Sequence, residues 1–410
     1  MGNGSGNLKM ATPRDLSLGS TRCQPVVRGS LPRTRREDSV SLPTLIRQAA
    51  GCYRPGACAP QRQICQPRGI ILGFLLFAFS HIPILAQNQP VDLVLPTDND
   101  TLFSGGGAAF YQYIERNYNG VKSTPWEGGQ YGFVRDPTNT AGGVVYTRFH
   151  EGIDIRPLHR DAHGEPLDEV RAIADGRVVH VNSVPGYSNY GKYIVIEHHW
   201  DSSDYYSLYG HLSSIAIQPG NAVKRGQRIA VMGYTGTGLN RERAHLHLEL
   251  NLMLSHEFDA WYNAFFRNDP NHNGIYNGMN LIGLDIARLY LALHKNPSLT
   301  IPEFLSREET FYKVTLPKSR HFELPRLYPW MLTTGSRNEK SSWEVSFAQS
   351  GVPLRIESSD KSVTQPQLSY VKKSSVNYSY LTRDIISGHG ANAHLTDYGR
   401  QLMQLLIWPH

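Results

Sequence analysis

The sequence predicts a mainly β protein: an antiparallel β-sandwich or barrel-like core, with an N-terminal helical segment before it and a mixed α+β C-terminal accessory region after it. Three observations carry this. Between residues 149 and 254, short runs rich in β-branched and aromatic residues recur between glycine-containing turns. Ala244 to Leu250 alternates leucine with His245, His247 and Glu249, the period of two that a strand imposes. After residue 254 the period lengthens, and Asn280 to His294 repeats apolar residues at helical spacing.

The chain begins with a segment unlike the rest. Of its 410 residues, 1–86 carry 11 Lys/Arg against 3 Asp/Glu, whereas the remainder carries 30 against 32. The basic character therefore belongs to the leader and gives no support for nucleic-acid binding by the folded part. Cys23, Cys52, Cys58 and Cys65 also lie in this leader, at spacings of 29, 6 and 7 that match no zinc ribbon. Residues 1–69 read as a disordered leader or as residues upstream of the true translation start. Residues 70–86, preceded by Arg62 and Arg68, form an apolar run interrupted at Ser80, His81 and Pro83. They read as a signal peptide cleaved near Ala86, or as an uncleaved membrane anchor. The expectation is export to the cell envelope, periplasmic or extracellular. The cysteine-free remainder suits an oxidising compartment.

Residues 87–148 read as a lead-in packed on the core, with a helix over Ala108–Arg116. Val170–Ala174 and Arg177–Val181 flank Asp175-Gly176, a strong hairpin signal. Tyr193–Glu197, Asp204–Tyr209, Ala222–Gly226 and Arg228–Met232 follow as strands. The 149–254 segment forms the core domain, and 255–410 an accessory region with helices over Asn280–His294 and, begun by Thr396, Leu395–Ile407. Tyr312–Leu316 and Trp343–Phe347 are strands between them. Asp269 to Gly274 imitates the first half of a calcium loop, but Asn280 stands where the bidentate glutamate belongs, so it reads as a plain turn.

Metal-site chemistry is concentrated in His150, Asp154, His211, His245 and His247. On one straight strand His150 and Asp154 would be about 13 Å apart at Cα, too far for one metal with bonds near ~2 Å. The chain must bend between them, and Gly152 is the residue placed to allow a turn; a helical i, i+4 pair would also serve, but Gly152 with Ile153 and Ile155 weakens that option. His245 and His247 point the same way, roughly 7 Å apart at Cα. Both could ligate, or one could ligate while the other acts on bound water. Three protein ligands would leave a fourth position for that water. Glu249 shares their face and reads as a solvated strand residue, and His159 and His163 read as exposed loop histidines.

Five motifs occur in order: HEGIDI from His150, AIADGRV from Ala172, YSLYGHLS from Tyr206, VKRGQRIAVMGYTG from Val223 and AHLHLEL from Ala244. In this ordered set the chain resembles the lysostaphin/LytM-type zinc metallopeptidases, which cut peptide cross-links in bacterial cell walls. The resemblance makes His150, Asp154 and His247 the Zn2+ ligands, and His211 and His245 the catalytic histidines that handle protons and steady the transition state. It implies a zinc metalloendopeptidase acting on peptidoglycan or another peptide substrate by attack of zinc-bound water. The alternative it leaves is a non-catalytic envelope binding or regulatory protein with a LytM-like domain. Two features depart from the family pattern: the charged loop Gly238–Arg243 before His245, and the long approach from Asp154 to Val170. A carrier module of the lipoyl or biotinyl type shares the glycine-punctuated hairpins, but the Asp175-Gly176 turn has no lysine to modify.

Overall fold

The computed structural model describes residues 90–409 apart from 113–115, 119, 124 and 336–339. The leader and the apolar run at 70–86 lie outside these residues. No helix among the described residues is long and apolar enough to cross a membrane.

The architecture is built on antiparallel sheets. The largest has seven strands, in the order Ala222–Val223, Gly176–Asn182, Tyr193–Trp200, Ser203–Gly210, Leu246–Met253 and Leu281–Gly283, with Ile153–Ile155 also paired to Leu246–Met253. Leu246–Met253 is therefore central: Ser203–Gly210 lies along one edge, and the two short strands share the other. A three-stranded sheet joins Ser214–Ile215, Arg228–Val231 and Glu169–Arg171. The C-terminal region contributes a four-stranded sheet of Pro353–Ser359, Ser342–Phe347, Tyr312–Pro317 and Gln367–Val371. The hairpin Gly132–Thr140 and Gly143–His150 pairs only with itself among the described residues and delivers His150 at its end.

The alternation in Leu246–Met253 explains how the sheet is buried. Leu246, Leu248, Leu250 and Leu252 are fully buried in the main core with Ile153, Ile155, Ile194 and Tyr209. Burying each such side chain is worth about 1.5–3 kcal/mol. The other face carries His247, Glu249, Asn251 and Met253, and it runs on into a second apolar cluster with Tyr193, Tyr206 and Leu208. Both faces are therefore covered, which a strand flanked by water on one side would not need.

Three local expectations are corrected. The helix expected over Ala108–Arg116 is confined to Gly107–Phe110. Tyr111 then bridges to Ile155, and the Gln112 amide donates to Asp154 O at 2.8 Å, so sheet contacts override helical periodicity. Asp175-Gly176 is not the tip of a hairpin, because Glu169–Arg171 and Gly176–Asn182 belong to different sheets. Asp175 instead turns the corner between sheets, accepting from the Lys224 ammonium at 2.7 Å and the Arg225 amide at 2.8 Å. The stretch Asn280–His294 splits: Leu281–Gly283 extends the large sheet, and the helix is Ile286–Lys295, capped by Asp285 accepting from the Arg288 amide. The C-terminal helix, Asp397–Leu405, does start at Thr396, whose hydroxyl caps it.

Candidate functional site

The site grows from one rung of the large sheet. His247 lies opposite Asp154 on one neighbour and Gly210 on the other, so His211 follows immediately at the end of its strand. His150 closes the hairpin strand, and the chain reverses through Glu151 and Gly152 to place Asp154 in the sheet. The bend expected at Gly152 is present, but its reason is different. Gly152 does not occupy the left-handed region; a Cβ there would lie 2.3 Å from Leu248 O and 2.7 Å from Glu249 Cγ. Close approach to the central strand, rather than an unusual φ, demands glycine.

All five side chains named from the sequence come together. His150 Nε2 is 3.1 Å from Asp154 Oδ1, His247 Nδ1 is 2.9 Å from the same oxygen, and the two nitrogens are 3.1 Å apart. These three residues are buried and form the one group of metal-suited donors among the described residues. Metal bonds of about 2 Å in tetrahedral geometry put ligand atoms roughly 3.3 Å apart, so the donors fit a small divalent cation. Their outer contacts fit as well. His150 Nδ1–H donates to Gln130 O at 2.7 Å and His247 Nε2–H to Glu249 Oε1 at 2.7 Å, leaving His150 Nε2 and His247 Nδ1 turned inward. Asp154 Oδ2 accepts from Arg135 Nη2 at 2.6 Å, so Oδ1 is the oxygen left for a cation.

Electrostatics agree with this division. Burial opposes ionisation of Asp154, but His150, His245 and Arg135 around it hold its carboxyl well below the usual range. Burial, then the Arg135 charge, lowers His150. For His247 burial is outweighed by hydrogen bonds to Asp154 and Glu249, which push it up to about 9. In the metal-free protein it therefore carries a proton that a cation would displace. Burial, with His245 and His247 close by, holds His211 well below the usual imidazole value, so it is neutral at pH 7.

His211 and His245 face one another edge to face, with ring centroids 4.7 Å apart. The Nδ1–H of His211 donates to Thr235 O at 2.8 Å, which leaves the lone pair on Nε2. His245 Nδ1–H donates to Arg243 O at 2.7 Å, and its Nε2 lies 3.4 Å from Asp154 Oδ1. His211 sits at φ +61°, a left-handed conformation costly for a residue with a Cβ and typical of functional positions. His159 and His163 are exposed on the 156–168 loop.

Glu249 is the misjudged residue. It is fully buried and accepts from both His247 Nε2 and, at 2.8 Å, the Tyr190 hydroxyl. Its position two residues after His247 on one strand face was the available signal. Arg135 and Tyr190 had none, because only the folded chain brings them to Asp154 and Glu249. The two departures noted in the sequence turn out to be neighbours. Arg160 donates to Arg241 O at 2.7 Å, and Arg241 pairs with Glu165 at 3.5 Å, joining the 156–168 and 238–243 loops into one rim.

The model for peptidase family M23 matches residues 148–258. A lipoprotein NlpD of Yersinia enterocolitica is 38% identical over 90 residues, covering 22% of this chain and 84% of that protein. The murein hydrolase activator NlpD of Escherichia coli K12 is 38% identical over 102 residues, 25% of this chain and 22% of its own length. The peptidoglycan DD-endopeptidase ShyB of Vibrio cholerae is 43% identical over 83 residues, 20% of this chain and 17% of its own. The chain spans about a fifth of the length of several relatives it matches. The residues matched by the family model contain the His150, Asp154 and His247 group, and, with the Yersinia enterocolitica relative matched over 84% of its length, the chain belongs to peptidase family M23, the lysostaphin/LytM type.

Proposed function

We propose that the protein is a zinc-dependent metalloendopeptidase that hydrolyses peptide cross-links of bacterial peptidoglycan. The observation that carries the reading is the convergence of three oriented, buried donors with two further imidazoles on the same point. Zinc held by His150, Asp154 and His247 would polarise the scissile carbonyl and lower the pKa of attacking water. His211, neutral and with its Nε2 lone pair free, accepts the proton that water loses and returns it to the departing amine nitrogen. His245, fixed through Nδ1, would steady the charge developing on the carbonyl oxygen in its doubly protonated form, in which Nε2–H can donate to it. Residues 70–86 would direct export to the envelope, where this substrate is found.

The second reading is a non-catalytic envelope activator, favoured by the printed name of the Escherichia coli relative. Against it, all five positions are filled by side chains able to do the chemistry. Purified protein incubated with sacculi, with and without a chelator, tests the choice through mass spectrometry of released fragments. Zinc-dependent peptide cleavage, abolished in His211→Ala, is expected. Zinc binding without any release would sink the peptidase reading and leave the activator.

A further inference from the structure

We infer that Arg383, from the C-terminal region, is a positioning residue for the metal-ligand loop: it grips Glu151, the residue directly after His150, and so sets the bend that brings His150 to Asp154. The inference rests on the proposed reading of His150 and Asp154 as metal ligands, and it gives residues 255–410 a role in the site.

The loop is held at each residue. Arg383 Nη2 donates to Glu151 Oε1 at 2.9 Å, and its guanidinium carbon sits 5.0 Å from the centroid of the Phe149 ring. One side chain thus covers the residues on both sides of His150. The pair is only partly exposed, 19% for Arg383 and 29% for Glu151, so the contact is more than a solvated surface pair. Arg383 is itself tied down. It and Asp384 lie in the left-handed region at φ +55° and +60°, and the turn is pinned by Thr382, whose hydroxyl donates to Tyr378 O at 2.7 Å and accepts from the Ile386 amide at 3.0 Å. Two consecutive non-glycine residues in this conformation cost energy, and surrounding contacts keep them there.

A second C-terminal element reaches the same loop from its backbone side. Leu281–Gly283 pairs with Leu246–Met253, and a Cβ on Gly283 would lie 1.9 Å from Glu151 O. Tyr131, which packs edge to face on Phe149 with centroids 5.1 Å apart, donates its hydroxyl to Gly283 O at 2.7 Å. Glu151 is therefore held by charge on its side chain and by steric contact at its carbonyl. Both holds come from beyond residue 254. A ligand set works only when its donors are fixed to within about 0.5 Å, and the bend is the one covalent route between His150 and Asp154.

The test uses the full chain and four variants: Arg383→Ala, Arg383→Lys, Glu151→Gln and the double Arg383→Ala/Glu151→Gln. Zinc affinity is read by competition with a chromogenic chelator, alongside the melting temperature of the metal-free protein. Arg383→Ala and Glu151→Gln should each weaken zinc binding about tenfold, the scale typical of losing an outer partner of a metal ligand. The double variant should lose no more than either single one, and Arg383→Lys should recover part of the loss. Should Arg383→Ala fail to fold, Glu151→Gln, which keeps the shape of the side chain, carries the same test. Zinc affinity within twofold of wild type in Glu151→Gln, or additive losses in the double variant, would overturn the inference. A wild type that binds zinc but cleaves no peptide defeats the peptidase reading alone, because affinity is measured without turnover.

Discussion

Glu249→Gln is the most informative single substitution at the site. The carboxylate is buried and accepts the Nε2–H of His247 at 2.7 Å and the Tyr190 hydroxyl at 2.8 Å. Glutamine keeps the shape and an acceptor oxygen but removes the charge. The Tyr190 bond exists with or without a metal and cancels. The His247 bond does not cancel, because a cation on Nδ1 draws charge from the ring and strengthens the Nε2–H as a donor. A hydrogen bond to a charged group contributes about 1.5–3 kcal/mol and a neutral one about 0.5–1.5, so the loss is about 1–1.5 kcal/mol, roughly tenfold in affinity. Loss of the Glu249 charge also loosens the competing proton on His247, which offsets part of this, so the net loss falls somewhat below tenfold. Zinc affinity at matched pH, by chelator competition, is the assay, with circular dichroism to show that the fold is retained. A folded variant with affinity within twofold of wild type would refute the claim that Glu249 tunes His247.

Three further outcomes follow from particular contacts. Gly152→Ala should cost both stability and zinc binding, because its Cβ would lie 2.3 Å from Leu248 O; overpacking of this kind costs about 1–3 kcal/mol, read by denaturant melts. Leu248→Ala, at a fully buried position, should destabilise by about 2–5 kcal/mol in the same assay, and a change under 1 kcal/mol would contradict its place in the core. His198 is buried between Asp175 O and the Ser207 hydroxyl, and burial lowers it from 6.5 to about 4 despite the Asp175 carbonyl. A base held neutral in this way contributes its full stability above pH 6.5 and loses it as pH falls through about 4. At about 1.4 kcal/mol per decade this amounts to roughly 3 kcal/mol. His198→Gln should therefore flatten the acid limb of a stability profile, and an unchanged slope would show that another group controls it.

The residues that announce the site were legible because their geometry is local. A period of two places His245, His247 and Glu249 on one strand face whatever packs around them, and a short spacing that must chelate forces a bend between His150 and Asp154. The mainly β class followed from the same short-range patterns. Elements whose form depends on distant partners were not legible. Ala108–Arg116 has the period of a helix, yet the Phe110 carbonyl accepts from the Arg156 amide at 3.0 Å and the Gln112 amide donates to Asp154 O at 2.8 Å, flanking the Tyr111–Ile155 bridge, and a continued helix would deny both bonds. Asp175-Gly176 has hairpin chemistry, but the partners of its flanking strands lie elsewhere in the chain. Leu281–Gly283 carries no strand signature strong enough to stand apart from the helix that follows it. It becomes a strand because the edge of Leu246–Met253 offers unpaired backbone groups. Glu249 looked solvated because alternation says which face a side chain takes, not whether that face is covered. Local sequence thus determined which residues could do the chemistry and on which face they lie. Tertiary structure alone decided that the face is buried, that Arg135, Tyr190 and Arg383 reach it, and that Gly152 is glycine for want of space, because each depends on segments brought together from across the chain.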